Sequence, residues 1–108
     1  MEGRIVYCSC PAAAADELAK AVVGARLGAC VQVIPQIRST YWWKGELCQD
    51  DESLLVVKTE ARLVGKLTSL LKEKHPYEVP EVIAVATAPG EGDPAYFAWM
   101  AQVLEAPP

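Results

Sequence analysis

The side chains best suited to chemistry in this sequence are two neighbouring thiols and a single imidazole. Cys8 and Cys10 lie near the start of the chain, and His75 is the only histidine among the 108 residues. Thiolates favour copper(I) and zinc, and imidazole suits copper, nickel and zinc alike. These residue types indicate a soft-metal site, while the competing interpretation is that each free cysteine is simply a small buried apolar residue.

His75 begins a segment in which two prolines restrict the backbone. Residues 75–81 read His-Pro-Tyr-Glu-Val-Pro-Glu and carry an imidazole, a phenol and two carboxylates. Rigid loops on a folded scaffold often hold binding residues. The sequence fits a second interpretation equally well, in which His75 caps the carbonyls of the preceding helix and Glu81 stays solvated. A Cys8–His75 nucleophile pair requires the two side chains to meet in space.

Composition and motifs exclude several classes of function. The net charge of −4 and the pI near 4.9 argue against nucleic acid as a partner, because phosphate binding needs a basic surface. No apolar run is long enough to span a membrane, and no signal peptide opens the chain, so we expect a cytoplasmic protein with reduced cysteines. The sequence has no nucleophile elbow, Gly-rich phosphate loop or His-x-x-x-His helix, and we expect no enzymatic activity.

Three helices and two short strands can be placed from local signals. Residues 4–8 are β-branched and aromatic and predict a first strand, and the continuous apolar run at 82–86 predicts the last one. A helix is predicted at residues 12–27, with Gly28 as the residue that follows its C-terminal cap. A second helix is predicted to begin with Thr59 as its N-terminal cap. The third helix is capped by Asp93 with a proline in its first position, and residues 106–108 form a frayed tail.

Between the first two helices lies a long hairpin, at about residues 30–59. Alternation predicts that one face of its first arm carries Val31, Val33, Ile37, Tyr41 and Trp43. The polar break at residues 44–46 contains Gly45, which can adopt positive φ and turn the chain. An isolated ribbon is marginal in water, and three adjacent rings at residues 41–43 cover both of its faces. We therefore expect the hairpin to pack against another chain.

The predicted order is β-α-β-β-α-β followed by an extra C-terminal helix, within one domain that spans residues 1–108. This order is typical of the α+β, ferredoxin-like sandwich, in which helices cover one face of an antiparallel sheet. Residues 54–57 and 82–86 are apolar at consecutive positions, so both faces of those strands need to be buried. Because one chain covers only one face, we expect a homo-oligomer.

Several segments form a specific combination over essentially the whole chain. They are Gly-Ala-Cys-Val at 28–31, Tyr-Trp-Trp-Lys-Gly at 41–45, Glu52, Lys-Thr at 58–59, His-Pro-Tyr-Glu-Val-Pro-Glu at 75–81, and Tyr96 with Trp99. In this combination the chain resembles the CutA divalent-cation tolerance family. The resemblance implies a ferredoxin-like fold that assembles as a cytosolic homotrimer through its long hairpins.

The same resemblance implies copper binding. The ligands suggested for the family are a cysteine at the end of the first strand and one or two histidines before Pro-Tyr, which correspond here to Cys8 and His75. Relatives with His-His-Pro-Tyr have a second histidine where this chain has Lys74. The pair then needs another ligand, from a neighbouring subunit or from Tyr77. Cys10, at a position where relatives often have alanine, is a further candidate.

We therefore predict a homotrimer that binds copper or similar divalent heavy-metal ions and contributes to metal tolerance. The alternative is a trimeric signalling protein resembling the PII proteins, with a small ligand or partner bound at subunit clefts. An acylphosphatase-like enzyme on the same fold relies on an arginine and an asparagine, and this sequence has no asparagine. The acidic charge and the lack of the aromatic strand motif disfavour an RNA-recognition domain.

Overall fold

A computed structural model describes residues 1–105 as an α+β fold with one four-stranded antiparallel sheet and three α-helices. The elements are β1 (Gly3–Cys10), α1 (Ala15–Gly24), β2 (Cys30–Trp43), β3 (Glu46–Glu60), α2 (Val64–Lys74), β4 (Ile83–Ala86) and α3 (Pro94–Glu105). The strands are ordered β2-β3-β1-β4, and each neighbouring pair is antiparallel. The tail predicted at residues 106–108 lies outside the described residues. Within residues 1–105, no helix has the length and apolar character needed to span a membrane.

The core lies between α1, α2 and one face of the sheet. Alternate residues of β1 point into it, which matches the two-residue period of a strand. The fully buried core side chains are Val6, Cys8 and Cys10 of β1, Val22 of α1, Leu55 and Val57 of β3, and Leu67 and Leu71 of α2. Complete burial of one such aliphatic side chain contributes roughly 1.5–3 kcal/mol. This core therefore holds β1 and the exit of α2 in fixed positions.

The opposite face of the sheet is apolar and open within one chain. Ile34, Ile83 and Val85 are 46%, 55% and 47% exposed, and Leu54 and Val56 are half-buried. They lie on one face because Ile34 pairs with Leu54, and because β1 links the register of β3 to that of β4. This exposure agrees with the expectation that a single chain leaves one apolar face uncovered.

β2 and β3 form the long predicted hairpin, with 14 and 15 residues respectively. Its turn is at Lys44 and Gly45, which have φ values of 49° and 81°. Positive φ at both central residues is the geometry of a type I′ turn, which suits the twist of a two-residue hairpin. The turn prediction is confirmed.

A β-bulge in β2 alters the predicted faces of the hairpin. Ile34 pairs with Leu54 and Ile37 pairs with Glu52, so two residues of β2 lie opposite one residue of β3. Gln36, which follows a proline, has a φ of 59°. Proline has no N–H to donate and is commonly found at bulges, where an extra residue reverses the alternation of side chains.

The prediction of one continuous apolar face on β2 is therefore wrong. Val31 and Val33 pair with buried core residues of β3, on the face covered by helices. Ile37, Tyr41 and Trp43 pair with residues of β3 that point to the opposite face. The bulge thus directs the aromatic side chains near the turn away from the protein's own core.

The end predicted for the first helix is also wrong, because α1 stops well before Gly28. Arg26 adopts a left-handed conformation with a φ of 59°, and Leu27 donates its N–H to the carbonyl of Val22. This is the Schellman pattern of a helix C-terminus. Gly28 has a different role: a Cβ there would lie 2.7 Å from a methyl of Val57, so only glycine fits against the sheet.

The two predicted helix caps have different outcomes. Thr59 is not a cap: it is fully buried within β3, and its hydroxyl donates to the carbonyl of Leu27 over 2.8 Å. Asp93 does cap α3, since the Ala95 N–H donates to its carboxylate over 2.9 Å and Pro94 is the first helical residue. The Thr59 hydrogen bond is a tertiary contact and the Asp93 hydrogen bond is local, which explains why only the Asp93 cap is predicted correctly.

Candidate functional site

His75 lies at the exit of α2, next to the end of β1. Its own N–H donates to the carbonyl of Leu71, and its φ and ψ of −74° and 138° take the chain out of the helix before Pro76. The imidazole is only 7% exposed. Its Nε2 lies 2.8 Å from the carbonyl oxygen of Ser9, and its Nδ1 accepts the N–H of Tyr77 over 3.1 Å.

These contacts assign one tautomer to His75. A carbonyl only accepts and an N–H only donates, so the proton belongs on Nε2 and the lone pair on Nδ1. The interpretation in which His75 caps α2 and Glu81 stays solvated is confirmed for the backbone, since the His75 N–H donates to the carbonyl of Leu71 and Glu81 is exposed. The imidazole itself bonds to Ser9 and Tyr77. The ring therefore connects the loop after α2 to the end of β1.

Cys8 lies on the core face of β1 and is completely buried. Its Sγ is 3.8 Å from the carbonyl oxygen of Ser9. Burial raises the pKa of the Cys8 thiol to about 12, and the nearby Cys10, Glu81 and Glu52 add to the shift. Burial and Glu52 also raise the pKa of Cys10. Both thiols are therefore protonated at neutral pH, and a metal ion has to displace a proton to bind either one.

The structure brings Cys8 and His75 to the same carbonyl oxygen, that of Ser9. A thiol and an imidazole that approach the same atom can together serve as ligands of a soft metal ion. The described residues contain no group of three or more His, Cys, Asp or Glu side chains placed to hold a metal. Two donors do not supply the four ligands of a structural zinc site, so this pair fits a soft ion of low coordination number better than zinc.

Lys74, the position of the second histidine in some relatives, is exposed on the last turn of α2. It lies outside the contacts that connect His75 to Ser9. A further ligand in this chain therefore has to come from another residue or another subunit.

Glu52 is a site residue that the sequence did not reveal. Residues 50–52 are all acidic, a pattern typical of a solvated strand edge, and the side chain of Asp51 is indeed 83% exposed. Glu52, however, is 6% exposed and accepts a hydrogen bond of 2.8 Å from the Tyr77 hydroxyl. The available sequence signals for this contact are Pro35, which accompanies the bulge in β2, and Pro76, which immediately precedes Tyr77.

The phenol of Tyr77 connects the two parts of the site. Its ring lies 4.7 Å from the His75 ring, centroid to centroid, and its hydroxyl is held by Glu52. Burial, and then the hydrogen bond to the Glu52 carboxylate, raise the pKa of Tyr77 well above its ordinary value of 10. The phenol therefore remains a hydrogen-bond donor throughout the physiological pH range.

A half-open cleft of about 700 Å³ separates the hairpin from the loop after α2. Hairpin residues Ser39, Thr40, Tyr41, Trp43 and Glu52, together with Ser9, form one side; Pro76, Tyr77, Glu78, Val79 and Glu81 form the other. The Tyr41 hydroxyl donates to Asp50, which raises the pKa of Tyr41 to about 12. Neither Cys8 nor His75 lines this cleft.

Comparison with known proteins gives consistent matches. The family model for the CutA1 divalent ion tolerance protein matches residues 4–103. Protein CutA of Mus musculus is 47% identical over 100 residues, which are 92% of this chain and 55% of that protein. The divalent-cation tolerance protein CutA of Thermus thermophilus is 44% identical over 86 residues, 80% of this chain and 82% of that protein. The chain thus spans about half the length of its mammalian relatives.

Solved structures agree with the sequence matches. CutA1 from Oryza sativa superposes with a TM-score of 0.91 at 36% identity, covering 95% of this chain and 94% of that one. The divalent cation tolerance protein from Thermus thermophilus gives a TM-score of 0.83 at 40% identity, covering 90% and 93%. The four-stranded sheet with three helices is therefore shared with these proteins.

Proposed function

Because the chain belongs to the CutA1 divalent ion tolerance protein family, we propose that it binds copper or similar heavy-metal ions and contributes to metal tolerance, without enzymatic activity. The family match confirms the resemblance in the sequence and does not favour the PII-like signalling alternative. The observation that carries the proposal is the approach of the Cys8 thiol and the His75 imidazole to the carbonyl of Ser9.

Copper(I) is the ion that we propose for this pair. Thiolate ligands select soft ions, and copper(I) is one that they favour. Binding requires loss of the Cys8 proton and exchange of one of the two hydrogen bonds of His75. Because ligand deprotonation is coupled to metal binding, the affinity of this pair depends strongly on pH. Cys10, on the same face of β1, is the nearest candidate for a third ligand in this chain.

We also propose a cytoplasmic homotrimer with a ferredoxin-like arrangement. The strand order β2-β3-β1-β4, with helices between β1 and β2 and between β3 and β4, supports this arrangement. The open apolar face of the sheet and the exposed Trp42 ring near the hairpin turn support self-association, since large exposed apolar patches mark interaction surfaces. Sedimentation velocity is the test: a monomer at micromolar concentration would contradict the assembly.

Anaerobic copper(I) titration of the purified, sized oligomer tests the metal site. We expect saturable binding with a fixed number of ions per subunit, and loss of that binding in Cys8→Ser and in His75→Ala. Cys48→Ser is the matched control, because Cys48 lies on the hairpin, far from Ser9 in the strand register, and should bind like the wild type. Binding that is unchanged in both site variants, or lost equally in the control, contradicts the proposed site.

A further inference from the structure

The cleft between the hairpin and the loop after α2 is acidic. Glu52, Glu78 and Glu81 line it, and no lysine, arginine or histidine is among its lining residues. Its volume of about 700 Å³ falls within the range of roughly 300–1,000 Å³ that is common for small-molecule pockets. An acidic cleft of this size favours a cationic ligand over an anionic one, because opposite charges attract most strongly where water is partly excluded.

Within the described residues, Glu52 forms no ion pair with a basic side chain. It is 6% exposed, and within residues 1–105 its hydrogen-bond partner is the neutral Tyr77 hydroxyl. The described ion pairs involve Asp51, Glu60 and Glu78 instead. A buried charge is costly unless it is paired, so a cation beside Glu52 would offset this cost.

Aromatic side chains supply the walls of the same cleft. Tyr41 and Trp43 come from the hairpin, and Tyr77 from the loop. A cation over an aromatic face within about 6 Å is attracted by the ring, most strongly by tryptophan. The chain already uses this contact at the rim, where the Lys44 ammonium lies 5.5 Å from the centroid of the Trp43 ring and 3.8 Å from Glu78.

We propose that this cleft binds an organic ammonium ion, an aliphatic amine that is protonated at neutral pH. Its charged nitrogen would donate to Glu52 and its hydrocarbon part would contact Tyr41, Trp43 and Tyr77. The rings and the apolar side chains of the loop match a hydrocarbon chain better than a hydrated metal ion. Calcium takes six to eight oxygen ligands, and the described residues hold no group of three or more acidic, Cys or His side chains suited to a metal.

The cleft adjoins the copper site through Tyr77, whose N–H donates to His75, but the two sites use different ligand-binding residues. Cys8 and His75 do not line the cleft, and Glu52 does not contact either of them through a hydrogen bond. Amine binding is therefore expected to persist in the Cys8→Ser variant, which separates failure of one proposal from failure of the other.

Titration of the metal-free oligomer with n-pentylammonium, at constant ionic strength, tests the proposal. We expect saturable binding, followed by tryptophan fluorescence and by calorimetry, with a dissociation constant in the millimolar range or tighter. The neutral isostere 1-pentanol should bind at least tenfold more weakly. Glu52→Gln keeps the shape and an acceptor for Tyr77 but removes the charge, and it should weaken pentylammonium binding at least tenfold.

Asp51→Asn is the matched control, because it removes the same charge one residue away, on the other face of the hairpin. This variant should bind pentylammonium with a dissociation constant within about twofold of the wild-type value. Trp43→Leu should weaken binding by several-fold through loss of the cation–π contact. If Glu52→Gln does not assemble, Trp43→Leu and Glu81→Gln remain as tests.

Three results would overturn the proposal. The first is equal binding of pentylammonium and pentanol, which would indicate a purely apolar contact. The second is equal loss in Glu52→Gln and Asp51→Asn, which would indicate a diffuse effect of surface charge. The third is a wild-type oligomer that does not bind pentylammonium, together with a Glu52→Gln variant whose subunits dissociate. That result would indicate that a basic side chain of another subunit pairs with Glu52.

Discussion

The two regions on either side of Ser9 differ in what each has to give up to bind a ligand. Toward the core, Cys8 is buried and protonated, and both nitrogens of the His75 imidazole have hydrogen-bond partners. Toward the hairpin, the Glu52 carboxylate is buried beside a neutral phenol, in a cleft open to solvent. The first region has to give up a proton and a hydrogen bond to bind an ion, whereas the second gains a partner.

This difference predicts how each region responds to change. A region whose contacts are already complete loses stability when a side chain is removed, and its ligand binding is coupled to pH. A region with a buried charge that has no ion-pair partner loses ligand affinity when that charge is removed, but its stability changes little.

The largest effect is expected for the metal-free His75→Ala protein. The change removes a buried ring and leaves the Tyr77 N–H without its acceptor. Loss of a buried side chain together with its hydrogen bonds costs about 2–4 kcal/mol. Trp43→Ala, at the open cleft, is the matched change and should cost less than half as much. Urea unfolding at fixed protein concentration measures both, and equal losses would contradict the contrast.

The pH dependence of binding should also separate the two regions. Since the pKa of Cys8 is about 12, copper(I) displaces its proton throughout the neutral range. The apparent affinity for copper(I) should therefore rise about tenfold per pH unit between pH 6 and 8. Pentylammonium binding should be nearly constant over the same range, because the amine stays protonated. A flat copper profile would mean that the Cys8 thiol is not a ligand.

A smaller effect is expected in the alkaline stability of the metal-free protein. In the unfolded chain Cys8 ionises near its ordinary pKa of 9.0, whereas in the folded chain it stays protonated up to about 12. Its contribution is therefore complete below pH 9 and is lost as the pH rises from 9 to 12. Stability measured by urea unfolding across this range should fall less steeply in Cys8→Ala than in Cys48→Ala. Equal slopes would argue that Cys8 is not desolvated.

The smallest effect is expected for the exposed ion pair on the hairpin. Arg38 and Asp51 lie 3.6 Å apart and are largely exposed. Exposed pairs contribute little, so Asp51→Asn should change the free energy of unfolding by less than about 0.5 kcal/mol. A change above 1 kcal/mol at this position would show that the face of the hairpin that carries Asp51 is buried in an assembly.

Local signals account for the parts of the fold that the sequence predicted correctly. The type I′ turn at Lys44 and Gly45, the Asp93 cap and the helix exit at His75 all depend on residues next to one another in the chain. The failure at Thr59 depends on a tertiary contact. Thr59 resembles a cap but bonds to Leu27 across the fold, and no local pattern distinguishes these two uses of a threonine.

The candidate site was only partly predictable for the same reason. The sequence identified Cys8 and His75 by residue type and by family resemblance, but their approach to one carbonyl depends on how α2 packs beside β1. The burial of Glu52 follows from the bulge at Gln36 and from the reach of Tyr77, which involve residues far apart in the chain. Neither the approach of Cys8 and His75 to one carbonyl nor the burial of Glu52 can be predicted from the spacing of residues in the sequence alone.

X-ray absorption spectroscopy of the copper(I)-loaded oligomer identifies the metal ligands. We expect one or more sulfur ligands and at least one imidazole nitrogen in the wild-type protein. The sulfur contribution should fall in Cys8→Ser, the imidazole contribution should disappear in His75→Ala, and both should persist in Cys48→Ser. A copper environment of oxygen and nitrogen alone, or one unchanged in both site variants, would contradict the assignment of Cys8 and His75 as the metal ligands.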